Sequence, residues 1–262
     1  MVNGKIQAFP WLDWKEEFPQ AETLGLHLME WTLDQEKLEA NPFNSPEGQR
    51  EILKLMQKFD LKIPSLTGDN FMQAPFYKCS DSEEKNYLLK CLDLIIESCS
   101  KLQTRYIVLP LVDNGSIKSE SEKEILLEEL LRRSKKLREK NVVIIFESDL
   151  PPAELAEFIS NFPSDVFGIN YDCGNSASLG FRVREEFKAY SHRILNIHIK
   201  DRILGGTTVP LGTGNADFSG IFECIKHSDY RGNLILQTAR DAEGNHKNAL
   251  QKYVQFVLDG LK

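Results

Sequence analysis

The chain has 262 residues, of which 41% are hydrophobic and 27% are charged, so it has the composition of a globular protein with room for a large core. Its net charge of -7 and its lack of a basic stripe argue against a nucleic-acid partner. The sequence has no apolar run of about 18 residues and no secretory signal at its start, so we expect a cytoplasmic protein without a membrane span.

Strand-like and helix-like segments alternate along the chain. The predicted strands are Lys5 to Phe9, Leu26 to Trp31, Ile63 to Thr67, Tyr106 to Leu111, Val142 to Phe146, Val166 to Tyr171, Ile194 to Ile199 and Asn233 to Gln237. The predicted helices are 14–24, 45–58, 82–101, 121–140, 152–160, 182–190, 219–227 and 245–261. A longer loop through Met72 and Tyr77 is expected to form a pocket wall or lid.

Eight strand–helix units predict an α/β fold, a (β/α)8 TIM barrel whose single domain spans residues 1–262. The consecutive apolar residues from Val142 to Phe146 indicate a parallel strand that is buried on both faces. A doubly wound open sheet is the alternative. It would carry a glycine-rich first turn, whereas the first turn here is Phe9-Pro10-Trp11.

Four neighbouring predicted strands end on polar residues, namely Glu147, Asp172, His198 and Gln237. In a barrel of this kind, the carboxyl ends of the strands form the active site. A strand-end aspartate is commonly a helix cap, and a strand-end histidine is commonly just hydrogen-bonded. Four in succession favour a shared site for one divalent metal, and the oxygen and nitrogen donors suit Mn²⁺, Mg²⁺, Co²⁺ or Zn²⁺.

The chain resembles the xylose isomerase-like barrels, which include sugar and sugar-phosphate isomerases and epimerases, inosose dehydratases and endonuclease IV. The residues that carry the resemblance are Ile145-Phe146-Glu147, Tyr171-Asp172 with Asn175, Ile197-His198-Ile199-Lys200-Asp201-Arg202, Pro210 to Phe218 and Tyr230 to Gln237. The resemblance implies that Glu147, Asp172, His198 and Gln237 bind the metal. It also implies a carbohydrate substrate that reacts through an enediolate, with Glu147 as base.

Two positions depart from the family pattern. Gln237 stands where the family has a second glutamate, and Asn175 stands where it has a histidine. Gln237 can bind a metal through its carbonyl oxygen, but it cannot take or return a proton. A one-base aldose–ketose isomerisation therefore remains possible with Gln237, because it needs only Glu147 as base, whereas a two-base epimerase would lose one of its bases. An inosose-type dehydratase and a catalytically silent sugar-binding barrel are the alternatives.

Further residues are candidates for substrate binding. Arg202 has the geometry to bind a phosphate or carboxylate, and a structural ion pair is the equal alternative. The glycines around Gly205 and Gly212 are more commonly tight turns than anion-binding loops. The full set of candidate substrate contacts is Asn175, Lys200, Asp201, Arg202, Glu30, Asp69 and Trp11. Endonuclease IV chemistry requires a histidine-rich metal cluster at strand ends two, three and six, and this chain has no histidine at the corresponding positions, which are Glu30, 68–70 and 172–175. A homo-oligomer is compatible with the sequence.

Overall fold

The computed structural model describes residues 8–262. Its strands are β1 (Leu28–Thr32), β2 (Lys62–Thr67), β3 (Tyr106–Leu111), β4 (Val143–Ser148), β5 (Phe167–Asp172), β6 (Ile194–Ile199), β7 (Asp201–Arg202), β8 (Thr208–Val209) and β9 (Asn233–Leu236). Within the described range, the main sheet is parallel, with seven strands in the order β1-β2-β3-β4-β5-β6-β9. The short strands β7 and β8 form a separate antiparallel pair.

The helices lie between the strands in the chain. They are α1 (Glu17–Thr23), α2 (Pro46–Lys58), α3 (Asp69–Gln73), α4 (Ser82–Leu102), α5 (Glu120–Leu131), α6 (Ser134–Lys140), α7 (Pro152–Ser160), α8 (Cys173–Leu179), α9 (Val183–Tyr190), α10 (Phe218–His227) and α11 (His246–Gly260). The local sequence determines where several of these helices begin and end. The hydroxyl of Ser45 accepts a hydrogen bond from Gly48 N at the start of α2, and α4 ends where Gln103 adopts a left-handed conformation.

The chain divides into two compact units. The first comprises residues 8–148 and 162–167, and its core includes the stacked rings of Phe146 and Phe167, both of which Phe162 contacts. The second comprises residues 149–161 and 168–262, and it contains β6, β9 and most of β5. In the second unit, β5 pairs with β6 and β6 pairs with β9, so three strand ends come together there.

The seven strands of the main sheet agree with the predicted ones to within two residues at each end. The predicted strand Lys5 to Phe9 falls mainly outside the described residues, and Ala8 and Phe9 belong to no strand. The single-domain boundary at 1–262 stays a prediction. Among the described residues, we find no helix that is both long and apolar enough to cross a bilayer.

Two predictions about the secondary structure were wrong, and one helix was missed. The loop expected around Met72 to Tyr77 is largely helical, since it contains α3 and a 3-10 turn at Phe76–Lys78. The helix predicted over 121–140 is broken into α5 and α6 around Arg132 and Arg133. Helix α8 was missed, because its sequence CGNSASL is short and contains few strong helix formers.

Candidate metal centre

Alternation along two paired strands places four polar side chains on one face of the sheet. Asn170 and Asp172 are two residues apart on β5, and Asn196 and His198 are two residues apart on β6. The strands are parallel, with Asn170 opposite Asn196 and Asp172 opposite His198. Because side chains two residues apart point to the same face, these four side chains form a buried polar patch at the carboxyl ends of the strands.

Asp172 divides its two carboxylate oxygens between two tasks. Oδ1 accepts a hydrogen bond of 2.7 Å from the backbone N–H of Asn175 and so caps helix α8. Oδ2 lies 3.7 Å from Nδ1 of His198 and 3.3 Å from Nζ of Lys200. The side chain is therefore the helix cap that a strand-end aspartate commonly is, and it still has one oxygen directed at the neighbouring strand ends.

The surroundings of Asp172 keep it ionised. Burial opposes the charged form, but the nearby Lys200 ammonium, the contact with His198 and the Asn175 N–H together hold the pKa of Asp172 well below its ordinary value. A negatively charged oxygen is consequently available at this strand end at neutral pH. Such an oxygen is a strong ligand for a hard divalent cation.

A line of carboxamides supports the imidazole of His198. Nδ2 of Asn170 lies 3.1 Å from Nδ1 of His198, and Nδ2 of Asn196 donates to Oδ1 of Asn170 at 2.8 Å. His198 itself is fully buried. Asn170 and Asn196 were not among the functional residues predicted from the sequence. The signal for them was available, since each is an isolated amide two residues before a candidate ligand in an otherwise apolar strand.

Gln237 lies one residue beyond β9 and reaches the same strand ends. Its backbone N–H donates to Ile199 O at 3.1 Å, which extends the pairing of β6 with β9 by one residue. Its side-chain carbonyl oxygen accepts a hydrogen bond of 2.8 Å from Nζ of Lys200. The amide is thus held in place by a lysine that also contacts Asp172.

The chemistry of these donors fits a divalent metal. Two ligand atoms that each lie about 2.1 Å from one ion are about 3–4 Å apart, and the 3.7 Å between Asp172 Oδ2 and His198 Nδ1 falls in this range. A carboxylate, an imidazole and an amide carbonyl form a mixed oxygen and nitrogen set, which suits Mn²⁺, Mg²⁺, Co²⁺ or Zn²⁺ rather than a metal that prefers thiolates.

Glu147 belongs to the first unit of the chain. It is the second-to-last residue of β4, opposite Pro110 of β3, and it is buried. A carboxylate at this position of a parallel strand is at the end of the sheet where barrel enzymes hold their reactive groups.

Asp201 and its neighbours build the rim of the second unit. The fully buried carboxylate of Asp201 accepts hydrogen bonds from the backbone N–H groups of Gly212, Gly214 and Ala216 at 2.8–3.0 Å. These N–H groups are therefore occupied by the protein's own carboxylate, and the tight-turn interpretation of this loop is correct. A Cβ at Gly214 would lie 2.3 Å from Asp201 Oδ1, so the close approach requires glycine.

Hydrogen bonds within the protein hold the Arg202 side chain in place. Its guanidinium donates to the carbonyl of Gly206 through Nε and Nη2 and to Oδ1 of Asn175 through Nη1. Among the contacts of the described residues, Arg202 has carbonyl and amide acceptors and no ion pair, so the alternative of a structural ion pair is not seen. Substrate contacts by Asn175, Lys200, Asp201 and Arg202 stay predictions.

Three more candidates lie in the first unit. Glu30 lies inside β1 rather than at its end, and it accepts hydrogen bonds from the hydroxyls of Ser65 and Thr67. Asp69 is buried in the first turn of α3. Trp11 is half-buried, packs edge-on against Phe9 and has Nζ of Lys37 5.7 Å from its ring. Their roles in substrate binding stay predictions.

A family model described as the xylose isomerase-like TIM barrel matches residues 18–257. The chain belongs to this family. The predicted family and the α/β barrel fold class are thereby confirmed. No curated protein sequence matches this xylose isomerase-like barrel significantly.

Solved structures with the same fold include several sugar epimerases. The barrel is similar to a D-psicose 3-epimerase with D-tagatose from Clostridium cellulolyticum H10, with a TM-score of 0.76, 14% identity and coverage of 95% of this chain and 94% of the other. It is also similar to 3-keto-D-glucoside 4-epimerase from E. coli, with a TM-score of 0.73, 17% identity and 97% coverage of both chains.

A third similar structure is the IOLI protein with a bound zinc atom. Its TM-score is 0.74 and its identity is 18%, with coverage of 95% of this chain and 92% of the other. Identities this low establish a shared fold and do not transfer a substrate.

Proposed function

We propose that this barrel is a divalent-metal-dependent isomerase or epimerase of a sugar, sugar phosphate or related polyol. In this proposal Glu147, Asp172, His198 and Gln237 hold the metal, and Glu147 is also the base. The observation that carries it is the pairing of Asp172 with His198 at adjacent strand ends, with an ionised oxygen directed toward an imidazole nitrogen.

Glu147 supplies the remaining charge that the proposal needs. Two carboxylates and an imidazole, all three buried, are a donor set for a divalent ion, and Glu147, Asp172 and His198 make up that set. The family membership of the chain supports the same assignment.

The metal, when bound, would polarise the carbonyl group of the substrate. Glu147 would remove the proton from the carbon next to that carbonyl and deliver it to the former carbonyl carbon, while the proton of the neighbouring hydroxyl passes to the former carbonyl oxygen, which converts an aldose to a ketose. The Gln237 amide does not exchange a proton as a carboxylate does, so Glu147 is the one carboxylate base of the proposed site. A single carboxylate suffices for the isomerase reaction. Epimerisation requires a proton donor on the opposite face of the substrate.

Exchange of substrate hydrogen with solvent tests the proton transfer directly. The protein is incubated with Mn²⁺ in D₂O and a panel of aldoses, ketoses and their phosphates, and deuterium at the carbons next to the carbonyl is followed by NMR. We expect exchange with the wild type and its loss in Glu147→Gln, with Mn²⁺ still bound. The exposed Glu154→Gln on α7 is the matched control and keeps full exchange. Full exchange by Glu147→Gln contradicts the proposed base.

The amide at Gln237 favours a second candidate, a barrel that binds a sugar without turning it over. It predicts saturable binding of a sugar to the metal-loaded protein without any deuterium exchange. An inosose-type dehydratase, in turn, predicts a product that is lighter than its substrate by one water. Mass spectrometry of the same D₂O reaction mixtures, after the sugars are returned to H₂O, separates the three outcomes: isomerisation leaves carbon-bound deuterium and a higher mass, binding without turnover leaves the mass unchanged, and dehydration removes one water.

A further inference from the structure

Lys200 is held between two of the proposed metal ligands. Its Nζ lies 3.3 Å from Asp172 Oδ2 and 2.8 Å from Gln237 Oε1, and its side chain is only 15% exposed. Asp172 Oδ2 is also the oxygen that lies 3.7 Å from the imidazole of His198. The ammonium group therefore occupies the same acceptors that a divalent cation would use.

The fold provides a fitted path for the Lys200 side chain. Gly174 lies in the first turn of α8, and a Cβ added there would lie 2.6 Å from Cγ, 2.9 Å from Cβ and 3.0 Å from Cδ of Lys200. The Lys200 backbone is fixed as well, because its N–H donates to Sγ of Cys173 at 3.3 Å. Since the stem passes over a residue without a side chain, the ammonium group is guided to Asp172 and Gln237 by packing as well as by charge.

We propose that Lys200 is a built-in cation of the metal centre, which competes with the divalent ion for Asp172 and Gln237 and so lowers the metal affinity of this barrel. This inference rests on the proposed function, because it concerns the same metal centre. A metal that enters must take Asp172 and Gln237 from the ammonium group, which then has to move along the Gly174 path or remain beside a second cation. Repulsion between two cations a few ångströms apart is strong in a buried site.

Gln237 is part of the same arrangement. Its neutral amide offers Lys200 a hydrogen-bond acceptor without the strong ion pair that a glutamate would form. With glutamate at this position, the site would gain a charge that attracts the metal and also a charge that holds Lys200 more firmly. The competition therefore links the two positions, and the effect of a substitution at one depends on the residue at the other.

Mn²⁺ titration by calorimetry at constant pH tests the competition without any reference to turnover. We expect Lys200→Met to lower the Kd for Mn²⁺ by about tenfold or more, because it keeps an unbranched stem and removes the competing charge. We expect Gly174→Ala to lower the Kd as well, since its methyl group displaces the Lys200 stem while leaving the charge on the chain. Circular dichroism and thermal unfolding verify that each variant is folded.

Lys188→Met is the matched control. Lys188 is exposed in the last turn of α9, which precedes β6 and so lies at the amino end of that strand. The Lys188→Met substitution changes the net charge by the same amount as Lys200→Met. We expect its Kd to agree with the wild type to within about twofold, because exposed distant charges are screened by salt.

A double-mutant cycle with Gln237→Glu supplies the sharpest comparison. We expect this substitution to lower the Kd for Mn²⁺ more in the Lys200→Met background than in the wild type, where the new carboxylate also strengthens the hold on Lys200. If the wild type binds Mn²⁺ and Lys200→Met leaves the Kd unchanged or raises it, the competition is refuted and the proposed function stands. If no variant binds millimolar Mn²⁺, the proposed function fails and the competition fails with it.

Discussion

Asp172 and His198 face each other across two parallel strands, with 3.7 Å between the carboxylate Oδ2 and the imidazole Nδ1. Asp172 is held through its other oxygen, Oδ1, by the N–H of Asn175, and Nδ1 of His198 also lies 3.1 Å from the amide nitrogen of Asn170. The pair is therefore positioned by the main chain and by buried amides before any ligand arrives. Preorganisation of this kind reduces the cost of forming a metal centre.

Asn170 is expected to act as a positioning residue for His198. Asn170→Ala removes the amide next to Nδ1 and the link to Asn196, so the ring loses the contact that fixes its orientation. We expect the Kd for Mn²⁺ to rise by about tenfold, which is the effect typical of losing a partner of a metal ligand. Calorimetry provides the measurement, and the exposed Asn248→Ala on α11 is the control. Equal Kd values for Asn170→Ala and the wild type would show that the amide does not position the ring.

Asp201 is expected to stabilise the loop from Pro210 to Ala216. Asp201→Asn places an amide NH₂ group against backbone N–H donors in a fully buried position, so at least one hydrogen bond is lost. We expect a loss of about 2 kcal/mol in the free energy of unfolding. Hydrogen exchange followed by mass spectrometry should accelerate in peptides from this loop, and the exposed Asp229→Asn should leave it unchanged. Unaltered protection of the loop in Asp201→Asn would be inconsistent with this role.

A buried glutamate on α9 is expected to make the stability of the protein depend on pH. Burial raises the pKa of Glu186 above its ordinary value of 4.5, although the hydroxyls of Tyr171, Ser176 and Tyr190 donate to it. Between 4.5 and the raised pKa, the folded protein binds more protons at this site than the unfolded chain does. The contribution of Glu186 to stability is therefore greatest below pH 4.5 and decreases as the pH rises through the folded pKa.

Urea unfolding at successive pH values from 4.5 to about 8 measures this effect. We expect the free energy of unfolding of the wild type, relative to Glu186→Gln, to decrease as the pH rises and then to level off. The amide of the variant does not titrate, so its offset is constant across the series. A difference that stays flat, or that grows with pH, would show that Glu186 is not the group responsible.

Much of the framework follows from local sequence. The strand from Val143 to Ser148 is recognisable because its apolar residues are consecutive, and α2 is recognisable from the Ser45-Pro46 start. The convergence of Asp172 and His198 follows from barrel topology, which places parallel strand ends on one side of the sheet. Local pattern and topology together were therefore sufficient to place these candidate ligands.

The parts that the sequence did not predict depend on side-chain directions over long separations. Nothing near Lys200 in the chain indicates that its ammonium group reaches Gln237, because that contact depends on the space above Gly174. Likewise, the carboxylate of Asp201 binds a loop 11 to 15 residues further along the chain. Such contacts are set by packing in three dimensions, which periodicity and residue type do not encode.

Binding of Mn²⁺ to the wild type and to Asp172→Asn is the most direct test of the metal centre. The substitution keeps an oxygen that caps α8 and removes the charge directed at His198, so the fold should survive while the site loses a principal ligand. We predict a Kd for the variant that is higher by about 100-fold or more. Equal Mn²⁺ affinity in the two proteins, or no binding to the wild type at millimolar Mn²⁺, would contradict a metal centre at these strand ends.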